Sequence, residues 1–241
     1  MPVFLGLLWY PALQALGRRG FGFLMGVTAG LLLFLGVDAL AEALEAAAGV
    51  AGPFQGVALA ALGAVLAFLL LEAVRHRQHR LAGADKDDKD ADRRRAAAAT
   101  IAVGIGLHNL GEGLAIGAAY ALGALALGAF LVVGFMVQNV TEGLAVVAPI
   151  ARDRPSWRRL VLLGLIAGAP AIAGTWIGGF TYSLPLAVLF LAVGAGAVFQ
   201  VAWEIARLLR EQEARAPAPF VAVAGVAAGM LTMYVTGLLM K

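Results

Sequence analysis

The chain has 241 residues, 61% of them hydrophobic and 14% charged, with a formal charge of +3 and a mean hydropathy of +0.87. Soluble domains carry about 25% charged and roughly 45–50% apolar residues, so a water-soluble fold is excluded: too little polar surface exists to cover so much apolar side chain. Cysteine is absent, which removes disulfides, thiolate metal sites and cysteine nucleophiles, and no nucleic-acid partner is expected, because the basic residues sit in short segments between apolar runs.

The first apolar run, Pro2–Leu16, contains Pro11 and stops at Arg18-Arg19. At about 15 residues it predicts a short first helix, below the ~20 residues of an ordinary span. Seven longer runs follow, at Phe21–Ala47, Pro53–Val74, Ala96–Ala121, Ala124–Ala151, Leu160–Thr181, Leu184–Leu209 and Phe220–Met240. Each is long enough to cross a bilayer. The expectation is an all-α polytopic membrane protein with eight transmembrane helices, forming a single transmembrane domain over 1–241.

Charge gives the orientation. With the N-terminus outside, the inside connections are Gly17–Gly20, Arg75–Arg95, Arg152–Arg159 and Arg210–Pro219, and 17 of the 18 Lys and Arg fall in or beside them. Only Lys241 is left outside, a clear positive-inside pattern. Both termini are therefore expected outside, with the protein crossing the plasma membrane of its cell. The longest connection, 75–95, lies between helices 3 and 4 and carries His76, His79 and the run Asp85-Lys86-Asp87-Asp88-Lys89-Asp90 with no aromatic residue. That composition predicts a mobile cytoplasmic loop; a sharper reading makes the histidines and aspartates a low-affinity cation sensor. Glycines four apart recur at Gly26/Gly30, Gly113/Gly117, Gly164/Gly168, Gly174/Gly178 and Gly225/Gly229. They suit close helix packing and are compatible with a homodimer.

Ionisable groups at membrane depth are costly and point to function. The fourth of the eight segments reads His108-Asn109-Leu110-Gly111-Glu112-Gly113-Leu114-Ala115, and the fifth reads Gln138-Asn139-Val140-Thr141-Glu142-Gly143-Leu144-Ala145. One motif, [HQ]-N-x-x-E-G-L-A, thus occurs twice on adjacent antiparallel helices, an inverted repeat of the kind that builds transporter sites near the midplane. Positions i and i+4 share a helix face, so His108 aligns with Glu112 and Gln138 with Glu142, with Asn109 and Asn139 one step aside. Such groups can also serve only to tie helices together, but six in duplicate register argue for a site. Two carboxylates balance a doubly charged ion, and ion entry releases protons from its ligands. Nitrogen and oxygen donors without sulfur suit zinc, iron, manganese, cobalt or cadmium better than Cu(I).

These residues resemble the ZIP (Zrt/Irt-like) family of divalent metal transporters, and the likeness runs from the Arg18-Arg19 turn to the last helix. The resemblance implies eight helices, outside termini, a variable cytoplasmic loop between helices 3 and 4, and metal ligands on helices 4 and 5. It implies a first metal position at His108, Glu112, Gln138 and Glu142, and a second sharing the two Glu with Asn109 and Asn139. Where family members commonly carry Pro in each motif this chain has Gly111 and Thr141. Where many have His it has Gln138, and the sixth-helix stretch Gly168–Gly174 lacks an acid, so the second position is expected to be weak or absent.

Asp38, Glu42 and Glu45 form an acidic stripe on the second helix that would concentrate cations at the outer mouth. Glu204 offers either a relay toward the inside or a partner for Arg207, and Glu72 reads as a helix-end charge. The four Trp read as interfacial anchors. No nucleotide-binding Gly-x-x-x-x-Gly-Lys-Ser/Thr is present. The function expected is secondary transport of a divalent cation, zinc foremost, into the cytoplasm, with no catalytic cofactor and the metal as substrate. The alternatives are an intramembrane metal hydrolase, for which His-Glu-x-x-His is missing, and a metal- or proton-sensing membrane protein that does not transport.

Overall fold

The computed structural model describes residues 2–52, 55–82, 89–121, 123, 125–181, 183–215 and 219–239. Among them every regular element is a helix: α1 (Val3–Leu7), α2 (Tyr10–Gln14), α3 (Arg18–Ala47), α4 (Gln55–Ala82), α5 (Lys89–Ala121), α6 (Leu125–Val147), α7 (Trp157–Thr181), α8 (Leu184–Arg215) and α9 (Pro219–Leu239), with a 3-10 turn at Ala148–Asp153 between α6 and α7. Six helices, α3 to α8, are long and apolar enough to cross a membrane, and two shorter apolar stretches, Val3–Leu13 and Phe220–Val235, complete the eight expected segments. The protein is an all-α polytopic membrane protein.

The short first segment is broken at Leu8-Trp9 into α1 and α2, with Pro11 in the first turn of α2, where its missing N–H costs no helical bond. Val3 and Leu7 are fully buried in the main core. The helices also run into the connection expected to be a loop over 75–95. α4 continues to Ala82 and α5 begins at Lys89, because the Arg- and Ala-rich flanks are good helix formers. The acidic run Asp85–Asp88 lies outside the described residues. After the 3-10 turn, Arg154 adopts a left-handed conformation (φ 48°). Pro155 follows, and the Ser156 side chain accepts from the Arg159 amide at the start of α7.

Four of the five glycine pairs meet one another. A Cβ on Gly26 or Gly30 of α3 would strike the carbonyls of Ala222 or Val226, and one on Gly225 or Gly229 of α9 would strike those of Phe23 or Val27. The same reciprocity joins Gly113 and Gly117 of α5 to Ala171 and Thr175, and Gly174 and Gly178 of α7 to Leu110 and Leu114. Backbones this close gain dispersion and weak Cα–H···O contacts that lipid cannot supply. The α5–α7 interface is the most extensive; α8 packs against α3, α4 and α5, and α6 lies against both α1 and α5. α5, whose apolar window is the most buried of the long spans, is therefore surrounded by protein. That allows it to carry polar groups. All four Trp are exposed at the helix surface.

Candidate metal centre

The two motif repeats face each other at the α5–α6 contact. His108, Asn109, Glu112, Asn139 and Glu142 are each no more than 6% exposed, and Gln138 is half-buried. Ligand atoms of His108, Glu112 and Glu142 lie within 4.8 Å of one another. The i,i+4 relation on α5 places His108 Nε2 3.2 Å from Glu112 Oε1. Gln138 Nε2 donates to Glu112 Oε1 at 2.7 Å and to Glu142 Oε1 at 3.3 Å. Asn139 Nδ2 donates to Glu112 Oε2 at 3.1 Å.

Asn109 faces a different way. Its Nδ2 donates to Asn139 Oδ1 at 3.1 Å and to the Ala167 carbonyl at 3.0 Å. Ala167 belongs to α7 just before Pro170, which has no N–H to give the Ile166 carbonyl and so interrupts the helical ladder at this turn. The sixth of the eight segments thus contributes a backbone carbonyl where no acid was found. Two buried oxygens, Asn109 Oδ1 and Glu142 Oε2, have no hydrogen-bond partner. Orphan acceptors beside two carboxylates, with one imidazole and no sulfur, make a donor set fit for a borderline divalent cation.

Two cavities reach the cluster. One of about 50 Å³ is lined by Asp38 and Glu42 of α3, His108 and Glu112 of α5, and Gln138 of α6, with Phe135 and Phe190 among its apolar walls. One water needs ~10–15 Å³ of such space, so several fit here. The other, about 10 Å³, lies toward the Arg-rich ends of the helices and is lined by Thr28, Gln138, Thr141, Glu142 and Met233. Gln138 borders both.

A family model described as ZIP zinc transporter matches residues 69–237, more than half of the chain, including both motif repeats. The chain belongs to the ZIP zinc transporter family. Comparison with individual curated proteins gives no match. Membership in the ZIP family carries divalent metal transport as the function at family level, rather than enzymatic turnover.

Within this ZIP protein, Asp38, Glu42 and Glu45 are all exposed along α3, but only Asp38 and Glu42 line the cavity beside the cluster. Glu204 is placed elsewhere. It is 3% exposed, and its carboxylate lies 3.2 Å from Arg75 and 3.8 Å from Arg207. Glu72 pairs with the same two arginines at 2.7 Å and 2.8 Å. The four charges pin α4 to α8 at the Arg-rich end, and Trp203 lies under the Arg207 guanidinium at 5.3 Å. Gly194, which the sequence did not single out, leaves room for His108: a Cβ there would meet the His108 Cα at 3.2 Å and Nδ1 at 3.3 Å. Neither this nor the Ala167 carbonyl has a chemical signature in the sequence.

Proposed function

We propose that this protein carries a divalent cation, zinc foremost, from the outside into the cytoplasm through the α5–α6 cluster. The Arg-rich ends face the cytoplasm in this reading, as the positive-inside rule requires. Asp38 and Glu42 collect the ion, His108, Glu112, Gln138 and Glu142 hold it, and Glu142 delivers it toward the Thr28–Met233 cavity. Asn109 and Asn139 brace Glu112, so a second metal position sharing the two carboxylates is weak. Glu204, held between two arginines, serves as a fixed strut rather than a relay.

The observation that carries the proposal is the meeting of an imidazole and two carboxylates within 4.8 Å, buried in membrane-spanning helices. Tetrahedral zinc holds its ligands at roughly 2.0–2.2 Å and so about 3.4 Å from one another, and binding closes a cluster whose ligand atoms lie within 4.8 Å. Neutralising two acids lets a 2+ ion reside where an unpaired charge would be costly. The test is zinc uptake by proteoliposomes. Glu142→Ala should bring uptake to the background of empty vesicles while the purified variant keeps its helix content and elutes as wild type. Uptake at the wild-type rate would remove the site.

A further inference from the structure

The geometry points to a second role for Gln138, resting on the transport reading above: its side-chain amide acts as an internal substitute for the cation, bridging Glu112 and Glu142 through Nε2 and turning over to present Oε1 when the ion takes its place. A carboxylate offers only acceptors, so the group that lies between two of them must present hydrogens. The Gln138 amide does this, with contacts of 2.7 Å and 3.3 Å to one oxygen of each. An ion that engages both carboxylates has to displace that NH₂ group. The same side chain carries an oxygen on the same carbon, so half a turn about its last torsion converts a donor to the acids into a ligand to the metal. That terminal torsion is soft and two-fold. Gln138 is also the one motif side chain that lines both cavities, which gives the turning group space that its buried neighbours lack.

The other two amides cannot exchange roles in this way. Asn139 Nδ2 is committed to Glu112 Oε2, and Asn109 is anchored to the Ala167 carbonyl and to Asn139. They form a fixed chain that orients Glu112, as outer hydrogen bonds orient ligands at metal sites. Asn109 and Asn139 are therefore positioning residues, and Gln138 is the movable one. In this arrangement a histidine at 138 would add a stronger ligand but only one N–H toward two acids. Glutamine trades affinity for an amide that keeps the carboxylates paired between ions.

The test uses full-length purified protein, stripped with chelator and then titrated with zinc, with melting temperature and zinc affinity both read. Gln138→Glu keeps an oxygen ligand and removes both hydrogens; Gln138→Met removes ligand and donor at similar volume. Stripped Gln138→Glu, with a third carboxylate against Glu112 and Glu142, should melt below stripped wild type and bind zinc about tenfold or more tightly, through the added charge together with the hydrogen bonds that no longer have to be broken. Stripped Gln138→Met should also melt lower, but bind zinc more weakly. A side chain that serves only as a ligand would leave the stripped Gln138→Met melting temperature at the wild-type value, and that result overturns the proposal. Should the variants misfold, wild-type protein carrying ¹³C-glutamine gives the same answer by zinc-induced difference infrared spectroscopy. A glutamine side-chain carbonyl band moving to lower frequency supports the turn, and a difference spectrum without one refutes it. Loss of zinc binding in Glu112→Ala and Glu142→Ala identifies the site independently. If those two variants bind normally the transport site itself is misassigned; if they fail and the glutamine results are negative, only the role of Gln138 falls.

Discussion

Glu112 and Glu142 occupy equivalent places in the repeat but unequal surroundings. Glu112 receives hydrogen bonds from Gln138 and Asn139 and shares another with His108, so both its oxygens are satisfied. Glu142 has one bond, at 3.3 Å from Gln138, and its second oxygen is buried without a partner. Removing the two should therefore have different consequences for stability. Glu112→Ala orphans several donors at once and should destabilise the protein by about 3 kcal/mol, since each unsatisfied buried group costs roughly 1–3 kcal/mol. Glu142→Ala relieves an orphan acceptor and should cost less than about 1 kcal/mol beyond its lost packing. Thermal melting of the two variants in chelator checks the difference, while both should lose zinc binding. The sequence showed that these residues share faces, because the i,i+4 relation is fixed by helix geometry alone. It did not show the asymmetry, which depends on where Asn139 and Gln138 point across the interface.

At the scale of helices, the glycine spacing was legible and its pairing was not. The pairs on α3 and α9, and those on α5 and α7, lie far apart in sequence and are matched only by the assembled bundle. Gly113 lies one residue from Glu112, and a side chain there would collide with the Ala171 backbone. Gly113→Val should separate α5 from α7, at a cost of about 3 kcal/mol, the upper end of ordinary overpacking because rigid backbone is struck. Gly22→Val on α3, where nothing lies within 4 Å of an added Cβ, should change stability by no more than about 0.5 kcal/mol. Denaturant titration in detergent compares the two. The charged clamp between α4 and α8 follows the same logic. Glu72 reads from sequence as a helix-end charge and Glu204 as either a relay or a partner for Arg207; the pairs Glu72–Arg75 and Glu204–Arg207 lie within one helix, and only the packing of α4 on α8 adds the cross pairs Glu72–Arg207 and Glu204–Arg75.

The whole molecule has two ends of different character, and a cavity adjoins the site on the side of each. Arginines mark one end, where Arg94 of α5 also grips Asp153 after α6 through contacts of 2.6–3.0 Å. On the other side Asp38 and Glu42 stand at the wall of the larger cavity. Their charge should raise the local cation concentration and so act on capture rather than on the transport step. The double substitution Asp38→Asn, Glu42→Gln should raise the zinc concentration for half-maximal uptake by about tenfold at low ionic strength, with a smaller effect in high salt; uptake kinetics across a salt series measure it. Composition, the eight apolar segments, the charge asymmetry and the duplicated motif were all determined by sequence, because hydrophobicity and helical periodicity are local properties that survive whatever the neighbours do. The tertiary structure alone decided which lone pairs remain open, that the Ala167 carbonyl and Gly194 shape the site, and that two of three acids on α3 line its approach. Those facts depend on contacts between helices distant in the chain, and a linear pattern carries no record of which faces meet.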